Sequence, residues 1–203
     1  HGVASLEELQ ALGLLEVLFP MLHVADEPCF DVDLFRVCLA STDARVAADL
    51  PVTPGFLLAA LSADHVAERT VGLPAGPGWG EAAEAAIFEL CTRVALPRRF
   101  TAVAREILEL QPRFLAPTAP RVRRLLTHPR LRAAYDFLLL RAECNAELAE
   151  LAAFWQAVVD QGAAAEDLLA RGVRSPADTA PATETVKRRR RRRSGGKAQT
   201  APA

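Results

Sequence analysis

The stretch RRFTAVAREILELQPRF, residues 98–114, sets Phe100, Val103, Ile107 and Leu110 at intervals of three and four. That is the spacing of one buried face on a helix of 3.6 residues per turn. Arg98 and Arg105 are seven apart and share a second face, turned away from the apolar one. A helix with one apolar stripe needs other elements to cover it, and the flanking sequence reads as helix in both directions.

Upstream, EAAEAAIFELCTRVAL (81–96) has the pattern of a helix that stops before Pro97, and GLPAGPGWG (72–80), dense in Gly and Pro, reads as a loop. GFLLAALSADHVAERTV (55–71) is a very apolar helix with Pro54 in its first turn. Another helix is expected from about Asp33 to about Ala48. SLEELQALGLLEVLFP (5–20) forms the first, with Ser5 as N-cap, Glu8 completing a capping box and Phe19-Pro20 ending it. Downstream, Pro112, Pro117 and Pro120 are expected to break the chain. Arg121 to Thr127 is a short helix, His128-Pro129 a turn, and residues 131–162 form one long helix or two joined near Cys144-Asn145. No segment alternates with a period of two between turn residues, and no fixed-period repeat is visible. The expectation is an all-α fold, an irregular helical bundle. Apolar density falls beyond about Gly162, so the Ala, Thr, Pro and Arg-rich end is expected to be a disordered basic tail.

The formal net charge of −1 conceals a step along the chain. Up to Thr92, three Arg face fourteen Asp and Glu. From Arg93 to Arg141, eleven Arg face three acids, Glu106, Glu109 and Asp136. Three parts follow: acidic helices over 1–92, an Arg-rich helical part over 93–162, and a tail over 163–203 that ends in the basic block Lys187 to Arg193. The second half calls for a partner of dense negative charge. No apolar run is long enough to cross a bilayer, so a membrane is not expected as partner. Cys29, Cys38, Cys91 and Cys144 lie too far apart for a zinc or dithiol motif. They read as reduced thiols of a cytoplasmic protein. The chain opens on His1 with a helical pattern and no signal-peptide organisation, and reads as a fragment.

Enzyme chemistry is sparsely represented. Asp31-Val-Asp33 has the form of a carboxylate pair that could hold divalent metal for nucleotidyl transfer. It follows Pro28 and opens a helix, where carboxylates serve as caps and complement the dipole. His1, His23, His65 and His128 are isolated, and the glycines at 72, 76, 78 and 80 lead into no phosphate loop. Neither a catalytic residue nor a metal site is assigned to this chain. The arginines carry the stronger signal. Arg98, Arg99 and Arg105 on one helix, Arg123, Arg124, Arg130 and Arg132 around the His128-Pro129 turn, and Arg113 and Arg141 beyond them are candidate phosphate ligands. Planar guanidinium forks donate two hydrogen bonds to a phosphate at once. The alternative for the same residues is a solvated face, or ion pairs to the acidic half. Lys187, Arg188, Arg189, Arg190, Arg191, Arg192 and Arg193 would bind polyanions by counterion release without reading sequence. A nuclear import signal is the other reading of that block.

LPRRFTAVAREILELQPRF followed by THPRLRAAYDFLLLRAE resembles the C-terminal region of the bacterial poly(A) polymerases, relatives of the CCA-adding tRNA nucleotidyltransferases. The matching segments are Pro97 to Thr101, Gln111 to Phe114 and His128 to Asp136, with LLEVLFP and STDARVAADLPVTPGFLLAAL similar upstream and Phe154-Trp155 downstream. The chain departs from the family where Leu115 to Arg121 is proline-rich and where Gly72 to Gly80 stands in place of helix. The resemblance implies an all-α neck and body that grips RNA 3′ ends, single-stranded or tRNA-like. It also implies a separate nucleotidyltransferase head, absent from this chain, that binds ATP and Mg2+ and adds adenylates; no cofactor is expected in this chain itself. The other functions weighed are part of a CCA-adding enzyme, and a helical interaction module for RNA-decay proteins.

Overall fold

Gly13 divides what the sequence presents as a single N-terminal helix. The computed structural model describes residues 1–24, 27–28, 30–74 and 76–161. In it α1 (Gly2–Ala11) stops and α2 (Leu14–Leu18) restarts across Gly13, whose φ of 64° is the left-handed region that favours glycine. Ser5 is not the cap. It lies inside α1, its hydroxyl donating to the His1 carbonyl. The orphan amides of the first turn are met from across the fold, Gly2 N–H donating to Asp43 Oδ1 at 2.8 Å and Val3 N–H to Oδ2 at 3.4 Å. Those bonds hold the Asp43 carboxyl below its ordinary pKa, against the opposing effect of burial.

A 3-10 turn (Pro20–Leu22) leads into a two-residue antiparallel pair, β1 (His23–Val24) with β2 (Glu27–Pro28), a small exception to the helical expectation. Helices account for the rest of the regular structure among the described residues: α3 (Val32–Ala47), α4 (Pro54–Arg69), α5 (Pro77–Leu90), α6 (Arg98–Phe114), α7 (Ala119–Leu126), α8 (Leu131–Cys144) and α9 (Ala149–Gln161). Besides α7, which starts at Ala119 and takes Pro120 into its first turn, three boundaries differ from the sequence expectation. The Gly/Pro loop is shorter, because Pro77 sits in the first turn of α5, where a missing amide costs nothing. That helix ends at Leu90, well before Pro97, and Cys91 to Arg93 form a turn. Pro112 does not break α6. The last turn is held from outside: Phe114 is fully buried, and the indole N–H of buried Trp155 on α9 donates to its carbonyl at 3.1 Å. Tertiary packing here overrides the local cost of proline. The α8/α9 junction falls at Asn145, whose side chain accepts from Glu147 N–H at 2.9 Å and caps a 3-10 turn (Ala146–Leu148).

The core is organised about α4 and α6. A Cβ added at Gly55 would lie 2.7 Å from Val103 Cβ and 2.9 Å from the Phe100 carbonyl, so glycine permits this helix crossing. α5 packs on both helices, and α8 packs on α6 and α3. The Phe56 and Phe137 rings meet edge to face at 6.0 Å between α4 and α8. One buried apolar cluster runs from Leu6 to Val158 and draws on both the acidic and the Arg-rich parts. No helix among the described residues is long and apolar enough to cross a membrane. Residues 162–203, including the expected disordered tail and Lys187 to Arg193, lie outside the described residues.

Candidate nucleic-acid interface

Two surface grooves of similar size carry arginine. The first, about 460 Å³, runs between α5 and α6. Glu84 and Phe88 stand on one wall, Arg98, Thr101 and Arg105 on the other, with Cys91 and Leu96 from the connection between them. The second, about 470 Å³, is bounded by α3, the Pro51–Thr53 connection, Phe56 of α4 and the start of α8, and carries Arg45, Arg130, Arg132 and Asp136.

The sequence-predicted arginines divide by what they touch. At the start of α6, Arg98 and Arg99 are exposed; the Arg99 guanidinium stacks 4.7 Å from the Phe100 ring centroid. Arg98 makes no ion pair among the described residues. Arg105 is half-buried, its Nη1 3.9 Å from Glu84 Oε2, too far for a hydrogen bond. Arg123 and Arg124 project from exposed positions of α7, whose opposite face buries Val122 and Leu125. Arg123 is itself engaged by a neighbour within the fold, and Arg113, Arg130 and Arg132 meet carboxylates. Arg113 Nη2 donates to Glu109 Oε1 at 2.8 Å, Arg130 Nε to Glu106 Oε2 at 2.7 Å, and Arg132 Nε lies 3.0 Å from Asp136 Oδ1. Arg141 turns inward, donating to Gln111 Oε1 at 3.3 Å. Burial lowers its pKa, and the nearby charges of Asp64 and Asp31 oppose that shift.

Gln111 is a buried hub that periodicity alone did not single out. Its Nε2 donates to the Ala134 carbonyl at 3.0 Å and to Ile107 at 3.3 Å, so one amide joins α6, α8 and Arg141. Phe88, which periodicity also passes over, is 74% exposed on the rim of the α5–α6 groove. The signal for it was in the sequence: α5 buries Ala83, Ala86, Ile87 and Leu90, a helical stripe whose centre lies about 150° from Phe88.

The carboxylate pair is occupied structurally. Asp31 caps α3 by accepting from Leu34 N–H at 2.8 Å, its own N–H donates to Asp64 Oδ2 at 2.6 Å, and Asp33 lies 3.7 Å from Arg36. Among the described residues no three His, Cys, Asp or Glu gather as a metal site would require. The donors of the described residues therefore do not fit the Mg2+ and ATP chemistry implied for a nucleotidyltransferase head. His65, nearly buried on α4, faces Glu89 at 3.4 Å, and Arg69 bonds the same carboxylate, which ties α4 to α5. Cys38 is buried and its thiol pKa is pushed up to about 12, chiefly by desolvation, so it is a core residue and not a nucleophile.

Residues 71–195 match a family described as Polymerase A arginine-rich C-terminus. That span is more than half of the chain and includes α5 to α9 and the basic block. Among curated proteins, the chain is 35% identical over 165 residues to Poly(A) polymerase I of Haemophilus influenzae, and 35% identical over 167 residues to Poly(A) polymerase I of Escherichia coli O157:H7. Poly(A) polymerase I of Salmonella typhi is 32% identical over 167 residues. Each alignment takes in 76% of this chain and 36% of the relative, so the chain spans about a third of the length of these proteins.

Proposed function

The chain belongs to the Polymerase A arginine-rich C-terminus family, and from that premise we propose that it is the RNA-holding part of a larger poly(A) polymerase. The observation that carries this reading is the distribution of cations over the surface of the described residues. Arg98, Arg99, Arg105 and Arg124 lie at or near the surface of α6 and α7, and Arg123 is exposed beside them while engaged within the fold. Phosphate contacts of this kind position RNA without specifying its sequence, which suits an enzyme that extends many different 3′ ends. Arg130, Arg132 and Arg113 reach phosphate only by exchanging a carboxylate partner, and Arg141 serves the interior. ATP, Mg2+ and adenylate transfer belong to a nucleotidyltransferase head outside this chain, and the RNA they extend is cytoplasmic. Poly(A) addition is favoured over CCA addition because the relatives named above are poly(A) polymerases. RNA-decay proteins remain a class of partner for the acidic helices.

The test is binding of the chain to labelled single-stranded RNA across a salt series, with and without residues 175–203. Binding that survives removal of the tail, and whose salt slope shrinks in an Arg123→Ala/Arg124→Ala variant, is the expected result. Loss of all binding with the tail would make the body arginines structural. No binding by the intact chain at low salt would end the RNA-holding reading.

A further inference from the structure

The α5–α6 groove joins an exposed aromatic ring to two guanidinium groups that hold no hydrogen-bonded carboxylate among the described residues. Phe88 and Glu84 come from α5; Arg98, Thr101 and Arg105 come from α6. We propose that this groove seats one nucleotide of a single-stranded RNA, its base stacked on Phe88 and the adjoining phosphates held by Arg98 and Arg105. The proposal deepens the RNA-holding reading and rests on it.

Three observations carry it. The groove, about 460 Å³, falls within the range of roughly 300–1,000 Å³ typical of pockets for small organic groups, and a base with its ribose is such a group. Phe88 is 74% exposed on a helix whose core-facing stripe is already complete, so its ring has no packing role to explain its size. Aromatic platforms of this sort hold unpaired bases, since every base offers a π face and none need be read by its edge. Arg98 has no ion-pair partner among the described residues, and Arg105 stands 3.9 Å from Glu84, so both forks keep donors to offer. A duplex is disfavoured as the occupant because its bases are stacked on one another and offer no free face to the Phe88 ring.

A free nucleotide presents the same base and phosphates, so the experiment must separate it from RNA. Binding of the 203-residue chain to labelled oligo(A) is measured for the unsubstituted protein and for Phe88→Ala, Phe88→Trp and Arg98→Ala, with ATP alone as competitor. Phe88→Ala is expected to weaken binding about tenfold with an unchanged salt slope, and Phe88→Trp to keep binding within about twofold. Arg98→Ala is expected to lower the salt slope by about one phosphate's worth. An oligomer of abasic ribose phosphate should bind Phe88→Ala and the unsubstituted chain alike. If Phe88→Ala binds oligo(A) as well as the unsubstituted chain does, the nucleotide seat is refuted while the RNA-holding reading stands. If ATP displaces oligo(A) at concentrations near the oligomer's own Kd, the groove is a mononucleotide site and the assignment to RNA falls. Absence of binding by the unsubstituted chain removes both readings together.

Discussion

The α5–α6 groove and the α3–α4–α8 groove are near equals in volume, about 460 and 470 Å³, and both carry arginine. They differ in what surrounds the cations. On the α8 side, Arg130 is hydrogen-bonded to Glu106, Arg132 to Asp136, and Arg45 donates to the Pro51 carbonyl at 3.1 Å. On the α5 side, Arg98 has no carboxylate among the described residues and Arg105 has one at 3.9 Å. A guanidinium becomes a phosphate ligand only to the extent that its own chain leaves it unneutralised. Arginine density by itself does not mark a binding surface.

The sharpest way to break the comparison is to remove the cations from each groove in turn. Arg98→Ala/Arg105→Ala is expected to weaken single-stranded RNA binding roughly 30-fold at low salt, with the salt slope lower by about 1.4, two phosphates at about 0.7 each for a single strand. Arg130→Ala/Arg132→Ala is expected to cost less than about threefold. Anisotropy titrations over a salt series give both numbers. Equal losses from the two pairs would show that the ion pairs on α8 open freely to RNA, and the distinction between the grooves would vanish.

A somewhat smaller effect of opposite sign follows from Glu106→Gln/Asp136→Asn. Both amides can keep hydrogen bonds to the arginines while removing the charge, so the α8 groove would come to resemble the α5 groove. RNA binding should tighten by about three- to tenfold and the salt slope should rise. The exposed ion pairs given up are worth only about 0–1 kcal/mol each, so the melting temperature should move by a few degrees at most. Unchanged affinity would mean that shape, and not neutralisation, keeps RNA out of the α8 groove.

Much of this contrast could be read in the sequence, and its missing parts have physical reasons. The α6 helix was legible because Phe100, Val103, Ile107 and Leu110 keep helical spacing, and Arg98 and Arg105 were placed on a shared face by the same rule. The pairs Glu109–Arg113 and Arg132–Asp136 are four apart and could be anticipated from spacing alone. Arg130–Glu106 spans two helices, and the inward turn of Arg141 depends on Gln111 thirty residues away, so neither follows from local pattern. Gly13 and Pro112 mislead local pattern in opposite directions. The apolar residues around Gly13 keep a helical stripe although its φ of 64° breaks the helix, and Pro112 reads as a stop although Trp155 and Phe114 hold the turn in place. Phe88 was hidden by its type: an aromatic residue inside an apolar helix is assigned to the core unless each position is placed on the helical wheel.

The smallest expected effect tests Glu84, the one acid of the α5–α6 groove among the described residues. Glu84 is 67% exposed at its side chain and stands 3.9 Å from Arg105, so their attraction is screened and contributes little to folding. Its carboxylate still competes with any phosphate brought to the same guanidinium. Glu84→Gln is therefore expected to tighten RNA binding about twofold while leaving stability within about 0.5 kcal/mol. Combining it with Arg105→Ala separates two routes to that gain. If Glu84 acts by occupying Arg105, the gain disappears once Arg105 is gone, and the two substitutions are non-additive in a double-mutant cycle. If Glu84 acts only through the charge it adds to the whole surface, the twofold gain persists without Arg105 and fades with salt in both backgrounds, which would move the phosphate contact from Arg105 to Arg98 alone.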